Sequence, residues 1–238
     1  MLAVLEHPNI VEVLDAGASG DADFLVMPLL IGEDLAALLQ RERRLSWTTA
    51  SALVLQLCDA LAHIHARGVV HGDVQPANCI VQRQVDQPPR LTLIDLGSAV
   101  VRGRGPVDLP RGTPAYRSLE QFLGTADARS DVYGVAAVLF HMLTGCLPLP
   151  RSPGGPIPRM SQVAPDRRFA PELERIVACA LHPRPDERPR DILPLAAAIR
   201  ACQGRSVRTR SRPMTALLLA FTAPMLLFWI TILAFSSP

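Results

Sequence analysis

The sequence predicts an α+β fold, mostly helical, ending in one C-terminal membrane-spanning helix. Three observations carry that prediction. Short apolar runs of strand length stand in the first hundred residues, as at Cys79-Ile80-Val81 and Leu91 to Ile94. Longer segments with apolar residues at helical spacing surround them. Met214 to Phe235 is an unbroken run of 22 uncharged, mostly apolar residues. At helical rise such a run is about 33 Å long, against a hydrocarbon core of about 30 Å.

In chain order, residues 11–30 alternate enough for two strands around a turn at Ala16–Ala22. Gly32 to Arg43 and Ser46 to Arg67 read as helices. Ser46 is the N-cap of the second, whose Ala50, Leu53, Val54, Leu57, Ala60, Leu61 and Ile64 recur at helical spacing before Gly68. The runs Cys79–Val81 and Leu91–Ile94 make a strand hairpin with Asn78 and Asp95 at the same end. Residues 129–145 form a more apolar helix, suited to the core. A Pro-rich stretch, 148–171, follows. Ala170-Pro171-Glu172 opens a helix through Leu181, and Asp191 to Ala201 closes the folded domain. The expected organisation is a domain over 1–204, a basic segment over 205–213 with four arginines, and a transmembrane helix over 214–235. The arginines before the span and the absence of charge after it place the domain on the cytoplasmic side of an inner membrane, as a single-pass protein.

Composition excludes some functions. The formal net charge is +2, with about a fifth of residues charged, which argues against a nucleic-acid partner. The five cysteines form no C-x-x-C pair, so buried thiols in a reducing compartment are expected rather than zinc or disulfides. Glu6 and His7 interrupt any secretory signal.

The chemistry lies in His71-Gly72-Asp73-Val74-Gln75-Pro76-Ala77-Asn78 and Leu93-Ile94-Asp95-Leu96-Gly97. Two carboxylates and a carboxamide stand in an order that phosphoryl transfer uses. Asp73 would orient and deprotonate an attacking hydroxyl; Asn78 and Asp95 would hold Mg²⁺ on the phosphates of ATP.

These motifs resemble the catalytic loop and metal loop of eukaryotic-type Ser/Thr protein kinases, the bacterial branch in particular, with His-Gly-Asp for H-R-D and Asp-Leu-Gly for D-F-G. Aminoglycoside-type small-molecule phosphotransferases share the first loop. Gly112-Thr113-Pro114-Ala115-Tyr116-Arg117-Ser118-Leu119-Glu120-Gln121, Ser130-Asp131-Val132-Tyr133-Gly134-Val135 and Asp186-Glu187-Arg188-Pro189 favour the protein kinase, as do His7-Pro8-Asn9-Ile10-Val11 and Leu25-Val26-Met27 upstream. The resemblance runs from about residue 5 to about residue 200. It implies a protein-kinase-like fold, chiefly the helical large lobe with a remnant of the small lobe, and transfer of the ATP γ-phosphate to protein hydroxyls.

Residue by residue, the resemblance implies that Met27, Leu29, Leu30 and Ile80 border the adenine, Leu30 with its backbone groups, and that Asp34 or Glu33 reaches the ribose. His71 would pack against Leu96, Thr113 would bond Asp73, Glu120 would pair with Arg188, and Asp131 would cap the catalytic-loop backbone. Gly72 stands where the family has an Arg that clamps a phosphorylated loop, and residues 99–112 contain no Ser, Thr or Tyr, so control by phosphorylation of that loop is not expected. The family's substrate-docking helix is expected to be lost within 148–171.

All 24 basic residues are arginine. The family's phosphate-gripping Lys is therefore absent, and Gln75 occupies the place of the Lys two residues after the catalytic Asp. No Gly-rich loop precedes His7, so the first three strands and most of the following helix are read as missing. Each lost transition-state donor typically costs about 10²–10³ in rate. Little activity is expected of the chain as written, and a membrane-tethered pseudokinase that binds a partner is the alternative. Substrate and partner stay open.

Overall fold

Two buried helices frame the molecule. In the computed structural model, which describes residues 6–19, 22–84, 86–95, 100–101, 114–152 and 155–203, these are α2 (Trp47–His65) and α4 (Ala128–Thr144). All the described residues belong to one unit, Met1–Arg208. Helix α2 starts where Ser46 Oγ accepts the Thr49 N–H at 3.0 Å, a side-chain cap for an otherwise orphaned donor. Its Ala50, Leu53, Val54, Leu57, Ala60, Leu61 and Ile64 are fully buried. Helix α4 is apolar on nearly every side, and only Arg129 and His141 escape full burial. Asp127 and Ser130 close its first turn, and Gly145 ends it at φ 70°. A Cβ at Gly145 would meet Arg43 O at 2.8 Å, so both conformation and space call for glycine there.

Around this pair lie α1 (Leu35–Glu42), α6 (Pro171–Ala180) and α7 (Ile192–Cys202), with the single turns α3 (Leu119–Phe122) and α5 (Met160–Val163). Helix α7 packs on α2, α4 and α6. Three small sheets complete the fold. Strands β1 (Asp15–Ser19) and β2 (Ala22–Val26) form an antiparallel hairpin. β3 (Glu33–Asp34), β5 (Cys79–Gln84) and β6 (Gln87–Leu93) form an antiparallel sheet in the order β3-β5-β6. β4 (Val69–Val70) pairs β7 (Val100–Val101). The segment before β1 is hooked to β6 by Val11 N–H on Leu93 O (2.9 Å) and Leu93 N–H on Asn9 O (2.8 Å).

The structure adjusts several expectations. The fold-class expectation is corrected at its C-terminal end. No helix among the described residues is long and apolar enough to cross a membrane. The run 214–235 that suggested a span lies outside the described residues. Among the described residues the fold class is α+β with no transmembrane helix. The basic segment 205–213 also lies outside. The expected turn at 16–22 is mostly strand, because β1 and β2 pair in register from Asp15↔Val26 to Ser19↔Ala22. The first helix starts at Leu35 rather than Gly32, because Glu33 and Asp34 pair with Val81 and Ile80 and Asp34 then caps α1. A Cβ at Gly32 would lie 2.7 Å from Val81 O, so the chain can approach β5 only as glycine. Within the Pro-rich stretch one helical turn, α5, is present; among the described residues of that stretch no longer helix forms before α6.

Candidate active site

Residues 71–78 join β4 to β5 and are held from below by α4. Asp131, 1% exposed, accepts the backbone N–H groups of His71 and Gly72 with its two oxygens, at 2.9 Å each. His65 Nε2 lies 2.7 Å from the same carboxylate. Gly72 has φ 76°, a left-handed conformation in which a Cβ is strained, so glycine here has a backbone reason. Its carbonyl accepts from Gln121 Nε2 at 2.6 Å. Gly134 of α4 lies so close to the loop that a Cβ there would be 2.7 Å from Val74 Cβ and 3.0 Å from Val74 O. His71, fully buried, accepts the Asp73 N–H on Nδ1 at 3.2 Å, with its Nε2 3.3 Å from Ile94 O. The backbone under the proposed base is thus fixed by hydrogen bonds to buried polar groups.

Asp73 is 8% exposed, and both of its oxygens are engaged. Oδ2 accepts from Gln75 Nε2 at 2.7 Å and from Asn78 Nδ2 at 2.9 Å; the Asp73 carbonyl accepts from Asn78 Nδ2 at 2.8 Å. Oδ1 accepts from Arg117 Nη2 at 3.2 Å. The ion pair is buried, with side-chain exposures of 6% for Arg117 and 9% for Asp73. Sequence reasoning assigned no role to Arg117. The signal available was the absence of lysine: a cation at this site could only be arginine.

Asn78 closes the one-turn helix Pro76–Asn78 at the foot of β5, and its carbonyl accepts the Ile94 N–H at 2.9 Å. Asp95 follows Ile94 directly, exposed and at φ 61°. The hairpin therefore brings Asn78 and Asp95 to one end, as the apolar runs implied. Because Asn78 turns its amino group to Asp73, its amide oxygen is the group left to meet a ligand. One carboxylate and one amide oxygen are hard donors. They suit Mg²⁺, which binds through one or two carboxylates, keeps several waters and takes the rest of its shell from phosphates. Among the described residues no group of three or more His, Cys, Asp or Glu could hold a metal on its own. Burial pushes the nearby Cys79 thiol up to about 12, so it stays neutral and is no nucleophile.

Asp34 and Ile80 are register partners across β3 and β5. Asp34 Oδ1 accepts the Ala37 N–H at 2.7 Å, which leaves one carboxylate oxygen for a ribose. Glu33 is paired with Arg41 at 2.6 Å and so is the poorer candidate. Met27, 39% exposed, and Leu30, half-buried, lie on the stretch from β2 to β3, and Ile80 is half-buried below. Thr113, Leu96 and residues 102–112 lie outside the described residues.

Behind the site, Arg188 donates to both oxygens of Glu120 at 2.6 and 3.0 Å, with both residues buried. Burial disfavours the Glu120 charge, but hydrogen bonds led by Arg188 outweigh it and hold the carboxyl below its ordinary value. The Arg188 guanidinium also lies 5.1 Å from the Tyr133 ring centre.

Comparison with known proteins gives the family. The family described as protein kinase domain matches residues 1–196. The chain is 34% identical over 232 residues to serine/threonine-protein kinase pkn3 of Myxococcus xanthus, covering 88% of this chain and 42% of that protein. It is 34% identical over 203 residues to serine/threonine-protein kinase PknB of Mycolicibacterium smegmatis, covering 78% and 32%. It is 33% identical over 198 residues to CBL-interacting protein kinase 4 of Oryza sativa, covering 77% and 42%. The chain spans less than half the length of these curated relatives.

Proposed function

Because the chain belongs to the protein kinase domain family and is a homologue of bacterial Ser/Thr kinases, we propose that it transfers the γ-phosphate of ATP to Ser or Thr hydroxyls of a protein, from a domain spanning about 1–204. Asp73 takes the proton of the attacking hydroxyl. The hydroxyl oxygen forms the new bond to phosphorus as the bond to the bridging oxygen breaks, its electron pair leaving on the diphosphate. Asn78 and Asp95 would hold Mg²⁺, which would supply neutralising charge to the phosphates. Met27, Leu30 and Ile80 form the apolar border of the adenine, and Asp34 faces the ribose. The domain works in the cytoplasm, where ATP is found. The observation that carries this reading is the Asp73 carboxylate fixed by the Asn78 amide at 2.9 Å inside a buried loop.

A second reading, a binding module without catalysis, is favoured by Gln75, a neutral group 2.7 Å from the base. Each missing cationic donor lowers transfer by about 10²–10³, from a usual range of about 1–100 s⁻¹. Transfer is expected to be slow.

The test is transfer by the full chain, with Mg²⁺ and ATP, to a basic protein rich in Ser and Thr. Slow transfer lost in both Asp73→Asn and Asp95→Ala supports the enzyme. No transfer, with nucleotide still bound in calorimetry, supports the binding module. Nucleotide binding indifferent to Mg²⁺ and to Asp95→Ala removes the metal site.

A further inference from the structure

The mechanism above leaves unused a buried cation that touches the base. Arg117 is 8% exposed, and its Nη2 stands 3.2 Å from the Asp73 carboxylate. Its Nε is buried without a hydrogen-bond partner among the described residues. A guanidinium carries five N–H donors in a planar fork and keeps its charge at any ordinary pH. Leaving a buried donor of a charged group unmade is costly, which points to a ligand that completes it. The ion pair does not itself fill that need. Asp73 already shares its negative charge with the amide N–H groups of Gln75 and Asn78, so one carboxylate serves three donors.

Position 75 is the other half of the observation. Two residues after the base stands a neutral Gln whose Nε2 bonds Asp73 Oδ2, and the chain has no lysine to place elsewhere. Gln75 can orient the base but brings no charge. Arg117 reaches the opposite oxygen of the same carboxylate from a segment 44 residues further along the chain. A hydroxyl accepted by Asp73 is therefore within a guanidinium's reach of Arg117, and so is the phosphoryl group which that hydroxyl attacks.

We infer that Arg117 is an oxyanion-binding residue of this site, taking the role of the cation that position 75 lacks by donating to the transferring phosphoryl group while it holds Asp73. This rests on the kinase reading proposed above. Arginine suits the role, because its fork matches phosphate oxygens while a second N–H keeps the carboxylate.

The experiment uses the full chain and the variants Arg117→Gln, Arg117→Lys and Arg117→Gln/Gln75→Lys, with Mg·ATP and Mg·ADP as probes. Both transfer and equilibrium affinity are read, and unfolding curves check each fold. For transfer, Arg117→Gln is expected to lose about 10²–10³ in kcat with little change in the KM of the protein substrate. Arg117→Lys should retain more, and Gln75→Lys in the Arg117→Gln background should restore at least about tenfold. For binding, the parent should prefer Mg·ATP to Mg·ADP by about tenfold, a preference lost in Arg117→Gln and regained in the double variant.

If the parent transfers no phosphate, the kinase reading fails, and the binding comparison alone judges Arg117. Equal affinity of the parent for the two nucleotides overturns the proposal, as does a folded Arg117→Gln that keeps its rate. An Arg117→Gln defect that Gln75→Lys does not relieve in a folded protein also overturns it, since Arg117 would then be only structural. If Arg117→Gln does not fold, the Arg117→Lys and parent comparisons decide.

Discussion

The carboxylate of Asp131, in the first turn of the buried helix α4, accepts the backbone N–H of Gly72 at 2.9 Å and thereby fixes the residue before the proposed base. Its other oxygen takes the N–H of His71, also at 2.9 Å. Asp131→Ala would strand two buried N–H groups. At about 1–3 kcal/mol for each unmade bond, the expected loss is about 2–6 kcal/mol, a large share of a typical domain's stability. Urea unfolding measures it, and a loss below 1 kcal/mol would contradict the clamp.

Gly134→Ala sets two effects against each other. Alanine gains about 1 kcal/mol of helix propensity over glycine. Against that, its methyl group would lie 2.7 Å from Val74 Cβ, and overpacking costs about 1–3 kcal/mol. Net destabilisation of about 0–2 kcal/mol is expected, with a fall in phosphoryl transfer larger than the unfolded fraction explains, because the displaced residue is next to Asp73. A variant with unchanged transfer would show that the loop tolerates the shift.

Arg188 and Glu120 form a buried pair, so removing one partner leaves a buried charge. Arg188→Ala is expected to cost about 3–5 kcal/mol, and Arg188→Met/Glu120→Gln far less than the two single changes added together. The pair also makes stability fall in acid. The Glu120 carboxyl titrates lower in the folded than in the unfolded chain, so its contribution is present above the ordinary carboxylate range and is lost as pH falls through it. Unfolding curves for parent and double variant should converge towards low pH.

His141 gives a second, milder pH dependence. Burial lowers its pKa, and its Nδ1 lies 2.6 Å from the Tyr116 hydroxyl. The unfolded chain therefore takes up a proton first as pH falls below about 6.5, and stability drops there. The melting midpoint of the parent should fall between pH 8 and 5.5, and His141→Asn, which does not titrate, should flatten the slope. Equal slopes would exclude His141 as the cause.

The β1–β2 hairpin and the stretch after it expose Phe24, Leu25, Val26, Met27, Leu29 and Ile31, the last two at 93% and 85%. A two-stranded hairpin is marginal in water, and such an apolar face invites association. Concentration-dependent light scattering is expected of the chain, reduced by Leu29→Ser/Ile31→Ser. Scattering unchanged by that substitution would place the sticky surface elsewhere.

Local pattern was enough for much of this molecule. The spacing of Ala50, Leu53, Val54, Leu57 and Leu61 with the Ser46 cap marked α2 to within two residues, because a helix end and an apolar face are written in neighbouring residues. The loop His71–Asn78 and the return at Asp95 were legible for the same reason: the chemistry lies at short, ordered spacings. What only the tertiary structure decided is distant in sequence. The pairing of Val69–Val70 with Val100–Val101 and the shortening of α1 by the Asp34–Ile80 register depend on which strands meet. Arg117 beside Asp73 is the clearest case. No periodicity links residues 44 apart, and an arginine reads as a solvated charge until the fold buries it against a carboxylate. Sequence order can name the groups that carry a reaction, but the partner of a buried charge is set by packing, since desolvation makes only a paired arrangement affordable.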